Sequence, residues 1–148
     1  MGHTLRPMRI DDHDAVTRLW RDEPGIGQSA SDSRDRIARL LARNPDLSLV
    51  ACDEAGAIVG AALCSYDGLR GFIRHLAVAA PHRRRGLGRA LVEEARRRLV
   101  AIGADKGTIF IFEDNAAGRA FWERLGWSER ADLRVMQRRF ESEAGGTG

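Results

Sequence analysis

The chain has 148 residues, the size of one domain and enough to bury a self-sufficient core. Hydrophobic residues make up 43% and charged residues 30%, which excludes a mainly disordered chain, and no apolar run approaches the roughly 18 residues of a membrane span. Basic residues number 24 against 21 acidic ones, a net charge of +3, and every basic residue except Lys106 is arginine. Composition therefore predicts a soluble protein whose guanidinium groups suit phosphate or carboxylate recognition.

The cysteine content and the first residues indicate a compartment. Cys52 and Cys64 are too few for a disulfide framework or a zinc cage, and the sequence starts without the apolar stretch of a signal peptide. We therefore expect two reduced thiols in a cytoplasmic protein, with no metal. One domain is expected over residues 1–140, followed by a polar, glycine-rich and flexible tail over 141–148.

Hydrophobic periodicity and turn residues predict a mixed α/β chain. The predicted elements, in chain order, are a strand over 5–10, a helix that follows Asp11 and Asp12, a loop over 21–30, a helix from Ser31 or Asp32 to Asn44, strands over 47–52, 57–66 and 71–78, a helix from Leu87 that Gly103 ends, a strand over 108–112, a helix over 115–125 and a strand over 133–140. In the hairpin around Gly56, Cys52 should lie opposite Ile58. Residues 108–112 are apolar on both faces, which is typical of an interior strand. The order β-α-α-β-β-β-α-β-α-β predicts a mixed sheet with helices on both faces.

Residues 83–89 carry the most specific chemical signal, because they follow a predicted strand and begin a predicted helix. The first amides of a helix lack internal partners, and the helix dipole makes that end electropositive. Gly86 and Gly88 leave the backbone open to a phosphate, while the arginines around them add charged donors. These features predict an anion site suited to a pyrophosphate. A P-loop would need a lysine here, and the dinucleotide-binding fingerprint fails at Leu91.

Two blocks of this sequence match a family signature in the same order. Residues 76–78 read Leu-Ala-Val, and residues 83–88 fit the pattern Arg/Gln-x-x-Gly-x-Gly/Ala. Residues 115–127 are similar to Asn-x-x-Ala-x-x-Phe-Tyr-x-x-x-Gly-Phe. Over roughly residues 5–140, the chain resembles the GCN5-related N-acetyltransferase (GNAT) family. Within it, residues 66–71 are similar to a bacterial subgroup related to ribosomal-protein N-acetyltransferases.

The resemblance implies a mostly antiparallel central sheet and an acetyl-CoA-dependent N-acetyltransferase that acylates a primary amine by direct attack in a ternary complex. Acetyl-CoA would be a co-substrate, and no metal would be needed. The residues implied to hold it are Leu76, Ala77, Val78, Arg84, Arg85, Gly86, Leu87, Gly88, Arg89 and Asn115. For Asn115, the cap of a helix N-terminus is an equally good interpretation.

The family's usual acid and base are absent from their expected positions. Trp122 stands where the family has a tyrosine, and an indole cannot give up a proton at useful pH. Phe110 stands where peptide-acetylating relatives carry a carboxylate. The remaining candidates are Glu113, as a base directly or through water, and Tyr66, as the acid by elimination because it is the only tyrosine. His75 lies on the strand implied to pair with acetyl-CoA, and it could act as a base or have only a structural role.

Two functional hypotheses follow, and a third is disfavoured. The first is an acetyltransferase acting on a small-molecule or peptide amine, as a monomer or homodimer; Asp22 and Glu23, in the loop where family members admit the acceptor, would favour a cationic amine. The second is a catalytically weak acyl-CoA-binding or sensing module, motivated by Trp122 and Phe110. Nucleic-acid binding is disfavoured because the arginines are neither interleaved with aromatics nor confined to one face. No membrane partner is expected.

Overall fold

The computed structural model describes residues 2–27 and 29–141. The strands are β1 (Thr4–Pro7), β2 (Leu49–Cys52), β3 (Ile58–Tyr66), β4 (Gly71–Val78) and β5 (Gly107–Thr108), and the helices are α1 (His13–Arg21), α2 (Arg34–Arg43), α3 (Leu87–Ala101) and α4 (Ala116–Arg124). Short 3-10 turns lie at Ile10–Asp12, Ala30–Asp32 and Ala80–His82. The strands form one sheet in the order β1-β2-β3-β4-β5, antiparallel except for the parallel pair β4–β5. This confirms the predicted mixed, mostly antiparallel sheet.

Both faces of the sheet are covered, because its strands send alternate side chains into two different cores. In β2, Leu49 and Ala51 join the core that α3 covers, whereas Val50 and Cys52 join the core under α1 and α2. All four side chains are buried. A strand with helices on both faces must be apolar at every position, which is why β2 lacks a polar alternation. The predicted helices on both faces are confirmed.

The two cysteines behave as predicted. Cys52 pairs with Ile58 across the β2–β3 hairpin, and both thiols are free and buried. Burial raises the pKa of the Cys64 thiol to about 12, because a thiolate is costly in an apolar core. Cys64 is therefore a packing residue.

The first strand ends earlier than predicted, at Pro7 and before Ile10. Asp12 explains the end, because its carboxylate accepts the Arg9 N–H at 2.8 Å and two hydrogen bonds from Arg6 at 2.8 and 2.9 Å. The Arg6 guanidinium lowers the pKa of Asp12. This interaction stabilises the fold above the unfolded-state pKa of the carboxyl, and the stabilisation is lost as the pH falls through its lowered folded pKa.

The second helix begins later than predicted. Ser31 and Asp32 lie in a 3-10 turn, and α2 begins at Arg34 with Ser33 as its N-cap, whose hydroxyl accepts from the Arg36 N–H. The end of α3 is as predicted, because Gly103 adopts φ 108, a left-handed conformation that ends helices.

Two predicted strands are wrong. The strand over 108–112 is reduced to β5, which pairs with β4 at Gly107 and Thr108 only, and Phe110 and Phe112 are 57% and 51% exposed. Consecutive apolar side chains predict a strand that is buried on both faces, but the hydrogen-bonded pairing of β5 with β4 ends before it reaches Phe110 and Phe112. The predicted strand over 133–140 is absent from the described residues, and its apolar side chains are exposed. The observed order is therefore β-α-α-β-β-β-α-β-α.

Two further findings concern the whole described region. No helix in residues 2–27 or 29–141 has both the length and the apolar character needed to cross a bilayer. Of the tail predicted over 141–148, residues 142–148 lie outside the part of the chain that the structure describes.

Ser48 is a buried polar residue that substitutes for a missing ladder partner. Its hydroxyl accepts the Cys64 N–H at 2.8 Å and lies 3.2 Å from the Cys64 carbonyl, to which it donates. We expect Ser48→Ala to lower the free energy of unfolding by about 1–3 kcal/mol, because two buried backbone groups lose their partner. Urea denaturation measures this. Ser128→Ala, at an exposed serine, is the control; equal effects of the two changes would contradict the role of the hydroxyl.

Candidate functional site

The centre of the site is an irregularity in β4. Two residues of this strand, His75 and Leu76, stand opposite the single residue Ala62 of β3, which makes a β-bulge. His75 has φ 54, a left-handed conformation that histidine tolerates better than most side chains. A bulge of this kind bends the strand and redirects the side chains and peptide groups next to it.

Beyond the first two residues of β4, its outer edge has no neighbouring strand among the described residues. β5 pairs in parallel with Gly71 and Phe72 and then ends. On the other side, β3 remains paired with β4 as far as Val78. The segment Leu76–Val78 therefore borders a groove on one side, where an extended chain can add to the sheet edge.

The N-terminus of α3 lies open beside this edge. Arg84 and Gly86 adopt left-handed conformations with φ 64 and 78, and no side chain caps the helix, which begins at Leu87. A Cβ atom built on Gly86 meets no atom within 4 Å. The first amides of α3 therefore face open space, as an anion site requires.

Gly88 also has a packing role, beside the access to the backbone that was predicted for it. A Cβ atom here would lie 3.3 Å from the Phe121 ring and 3.9 Å from Cγ2 of Val78. The missing side chain therefore lets the first turn of α3 approach both α4 and the end of β4. This close approach places the open helix end next to the unpaired strand edge.

The arginines near the start of α3 lack acidic partners. Arg84, Arg85 and Arg89 are exposed, and none of them has a hydrogen bond or ion pair within residues 2–27 and 29–141. Farther along the helix, arginines pair with glutamates: Arg96 with Glu93 at 3.1 Å, Arg97 with Glu94 at 3.2 Å and Arg98 with Glu94 at 3.3 Å. Uncompensated positive charge is therefore concentrated at the end of α3 where the helix dipole is also positive.

Arg83 differs from these three unpaired arginines, because its side chain interacts with other groups of the protein. Its Nε donates to the Val78 carbonyl at 2.9 Å, and its guanidinium pairs with Glu23 of the α1–α2 loop at 3.4 Å. The same loop reaches α4, because a Cβ atom on Gly25 would lie 2.8 Å from Nδ2 of Asn115. The α1–α2 loop therefore spans the groove from the end of β4 to the start of α4.

Asn115 is the N-cap of α4, as one of its two interpretations required. Its Oδ1 accepts the Gly118 N–H at 2.9 Å. Oδ1 is therefore occupied, and Nδ2 faces the α1–α2 loop at Gly25.

The two candidate catalytic residues lie at different ends of the fold. Glu113 is exposed in the loop before α4, close to Asn115 in the chain, and its backbone carbonyl accepts from Arg119 at 3.1 Å. The Tyr66 hydroxyl donates to the Gly68 carbonyl and packs near Gly103, at the C-terminal end of α3. Since α3 spans about 22 Å, the structure does not bring Tyr66 to the open helix end. Tyr66 was a candidate acid because it is the only tyrosine in the sequence, and that argument does not consider which end of β3 it occupies.

Trp122, at the position of the family's tyrosine, belongs to an aromatic cluster. Its ring lies 5.4 Å from Phe121 and 5.0 Å from Trp127, in edge-to-face contacts, and packs against the α3 core. Gly107 leaves room for the Trp127 ring of this cluster, because a Cβ atom at position 107 would lie 2.8 Å from that ring. The Trp122 indole therefore fills space between α4 and the sheet.

Phe110, at the position of a carboxylate in peptide-acetylating relatives, forms a second aromatic contact. Its ring stacks on Phe72 at 6.4 Å, and the Arg74 guanidinium lies 5.2 and 5.5 Å from the centres of the Phe72 and Phe110 rings. This surface lies beside the bulge on β4.

The sequence indicated Asp32 only as a possible helix start, and its contact with His75 was not predicted. Its Oδ1 lies 2.8 Å from Nε2 of His75, whose ring packs edge-on against Trp20 at 4.9 Å. His75 and Asp32 are 43 positions apart, and only the path of the α1–α2 segment across the sheet brings them together.

Within residues 2–27 and 29–141, no group of three or more His, Cys, Asp or Glu side chains is arranged to hold a metal ion.

Comparisons with known proteins define the class. The model of the acetyltransferase (GNAT) family matches residues 13–127. An acetyltransferase of Pectobacterium atrosepticum is 35% identical over 135 residues, covering 91% of this chain and 94% of that protein. An acetyltransferase of Photorhabdus laumondii is 35% identical over 136 residues, covering 89% of this chain and 91% of that protein.

Solved structures agree on the fold. Ard1 from Thermoplasma volcanium superposes with a TM-score of 0.77 at 22% identity, covering 88% of this chain and 86% of that one. A chain of the NatC complex, solved with a Gag peptide and CoA, superposes with a TM-score of 0.71 at 20% identity and covers 84% of each chain. At these identities the likeness concerns the fold alone.

The family model and these relatives show that the protein is an acyltransferase. The chain belongs to the acetyltransferase (GNAT) family.

Proposed function

We propose that this protein transfers the acetyl group of acetyl-CoA to a primary amine while both are bound. The observation that carries the proposal is the set of unpaired guanidinium groups around the uncapped end of α3, next to the unpaired edge of β4. Family membership and the CoA bound in the NatC neighbour support the same donor.

In this proposal the two open features hold different parts of one molecule. The edge of Leu76–Val78 pairs with the pantetheine arm as an added strand. The amides of Gly86, Leu87 and Gly88, with the side chains of Arg84, Arg85 and Arg89, hold the pyrophosphate, since a helix N-terminus and arginine forks both favour phosphate oxygens. The Nδ2 of Asn115 supports the arm from the α4 side.

The chemistry then needs the two substrates held in place, a donor for the oxyanion, and groups that move protons from the amine to the sulfur. A backbone amide at the β4 bulge stabilises the oxyanion that forms when the amine attacks the thioester carbon; one such donor contributes about 10²–10³ in rate. Holding the two reactants together supplies much of the remainder. Asp22, exposed in the α1–α2 loop, favours a positively charged acceptor, whereas the neighbouring Glu23 is already paired with Arg83. We place the enzyme in the cytoplasm, because both of its thiols are free.

A catalytically weak acyl-CoA-binding or sensing module is the second candidate. The observation that favours it is Trp122, which packs where the family's acid stands. A mass-spectrometric screen of amines with acetyl-CoA separates the two: a product heavier by one acetyl group supports the transferase, and tight binding without turnover supports the module.

Matched arginine variants test the donor site. We expect Arg85→Ala to weaken CoA binding about 10-fold or more, because it removes a charge-assisted contact to phosphate. Arg96→Ala removes the same charge from the middle of α3, where Glu93 already pairs with it, and should leave the affinity unchanged. Calorimetric titration at two salt concentrations measures both. Equal effects of the two changes would refute the assignment of the open helix end.

A further inference from the structure

We propose that His75, oriented by Asp32, is the general base that removes the proton from the acceptor amine. This inference rests on the proposed function, and it assigns the proton acceptor that the loss of the family's usual residues leaves open. It stands on the geometry of the β4 bulge and on one contact between distant segments.

The bulge places His75 at the reacting end of the groove. His75 directly precedes Leu76, the first residue of the edge assigned to the pantetheine arm. Its left-handed backbone turns the imidazole toward α1 and the α1–α2 segment, where the ring meets Trp20. This is the face of the sheet that the α1–α2 loop borders, and the exposed Asp22 of that loop favours a cationic acceptor. Under the proposed function, the imidazole therefore directly precedes the edge that holds the donor and faces the side from which the acceptor would enter.

Asp32 fixes the protonation pattern of the ring. A carboxylate only accepts hydrogen bonds, so its 2.8 Å contact makes Nε2 of neutral His75 the nitrogen that carries the proton. Nδ1 is then the basic nitrogen, and it has no hydrogen-bond partner within the described residues. The side chain of His75 is 21% exposed and that of Asp32 is 10% exposed, so a ligand can reach the ring while the carboxylate stays covered.

Few other charged groups lie around the His75 ring. From α1, Trp20 meets the ring, and His13 bonds to the backbone carbonyl of Asp32 at 2.8 Å, which holds the turn in place. In β4 itself, the neighbouring Arg74 directs its guanidinium over the Phe72 and Phe110 rings. Asp32 is therefore the acidic group in direct contact with the imidazole, and the pair has the arrangement of a base and its orienting carboxylate.

The other candidates lack this support. Glu113 is exposed, and its side chain has no hydrogen-bond or ion-pair partner among the described residues. Tyr66 lies at the far end of α3. An oriented side chain is the stronger choice, because a general base must be held within hydrogen-bond reach of the proton that it removes.

Nδ1 of His75 takes a proton from the acceptor ammonium, which leaves a neutral amine and an imidazolium. The amine lone pair forms the C–N bond at the thioester carbon, and the C–S bond breaks, with its electron pair leaving on the CoA sulfur. The second amine proton passes to that sulfur through water, giving the acetamide and CoA thiol, and His75 releases its proton to solvent.

Replacement of the two residues tests the proposal. His75→Asn removes the base and keeps a residue that accepts a left-handed backbone. We expect kcat to fall by about 10²–10⁴-fold, with acetyl-CoA affinity unchanged. The urea unfolding midpoint should fall, because the ring also packs on Trp20 and bonds to Asp32, so kcat is measured without urea, where circular dichroism shows the variant to be folded. Asp32→Asn should lower kcat less, because the imidazole remains. In the wild type, kcat/KM should fall as the pH drops and His75 becomes protonated; His75→Asn should lose that limb of the profile, measured with the same acceptor.

His3→Gln is the control, since His3 pairs with His82 away from the bulge, and it should keep the wild-type profile. A His75→Asn variant that turns over at the wild-type rate would overturn this inference alone. A loss in Glu113→Gln with His75→Asn unaffected would move the role to Glu113. Wild-type protein that binds no acetyl-CoA would overturn the proposed function as well.

Discussion

Gly86→Glu is expected to abolish acetyl-CoA binding while the protein stays folded. The new carboxylate would sit where the amides of α3 face open space, and it would repel a pyrophosphate by several kcal/mol. That corresponds to a loss of about 100-fold or more in affinity. Calorimetric titration with acetyl-CoA and with CoA measures it.

The fold should tolerate this change for two reasons. A Cβ atom at Gly86 meets nothing within 4 Å, so the φ of 78 is the source of strain, about 1–2 kcal/mol for a residue with a side chain. A carboxylate at a helix N-terminus offsets part of that strain. Gly86→Asn is the matched control, because asparagine accepts the left-handed conformation without adding charge. If Gly86→Glu kept the wild-type affinity, the pyrophosphate assignment would be refuted.

Leu91→Ala is expected to give the largest loss of stability, about 2–5 kcal/mol in the free energy of unfolding. Leu91 is completely buried between α3 and the sheet, where its Cδ1 lies 3.2 Å from the Cβ position of Gly60. The glycine gives the leucine its space, so truncation leaves a cavity that the close-packed strands cannot fill. Equilibrium unfolding in urea measures the loss.

Leu69→Ala serves as the control for this truncation. Leu69 is 74% exposed in the turn before β4, and its removal should change stability by less than about 0.5 kcal/mol. A loss at Leu91 no larger than the loss at Leu69 would show that α3 is not packed against the sheet as described.

Local signals in the sequence predicted most of the fold and the uncapped N-terminus of α3. The Cys52–Ile58 pairing, the extent of β4 and the end of α3 at Gly103 follow from alternation and turn residues, which act over a few positions. The open end of α3 followed from glycines and arginines that stand next to one another in the chain.

Other features depend on contacts that no local pattern records. The apolar run after Thr108 resembles a buried strand, yet whether it is covered depends on how far the ladder with β4 extends. The contact of Asp32 with His75, and the distance of Tyr66 from the groove, are set by the topology of the whole sheet. The close contact of Gly88 with Phe121 also escaped the sequence analysis, because Phe121 lies in α4, far along the chain.

The double attachment of Arg83 has a kinetic consequence. One guanidinium holds both the last carbonyl of β4 and Glu23 in the α1–α2 loop. Under the proposed function, acetyl-CoA pairing with that carbonyl would compete with Nε of Arg83. Weakening of this hydrogen bond would free the loop to rearrange around the second substrate. Under the proposed function, the two substrates should therefore add in a compulsory order, acetyl-CoA first and the amine second.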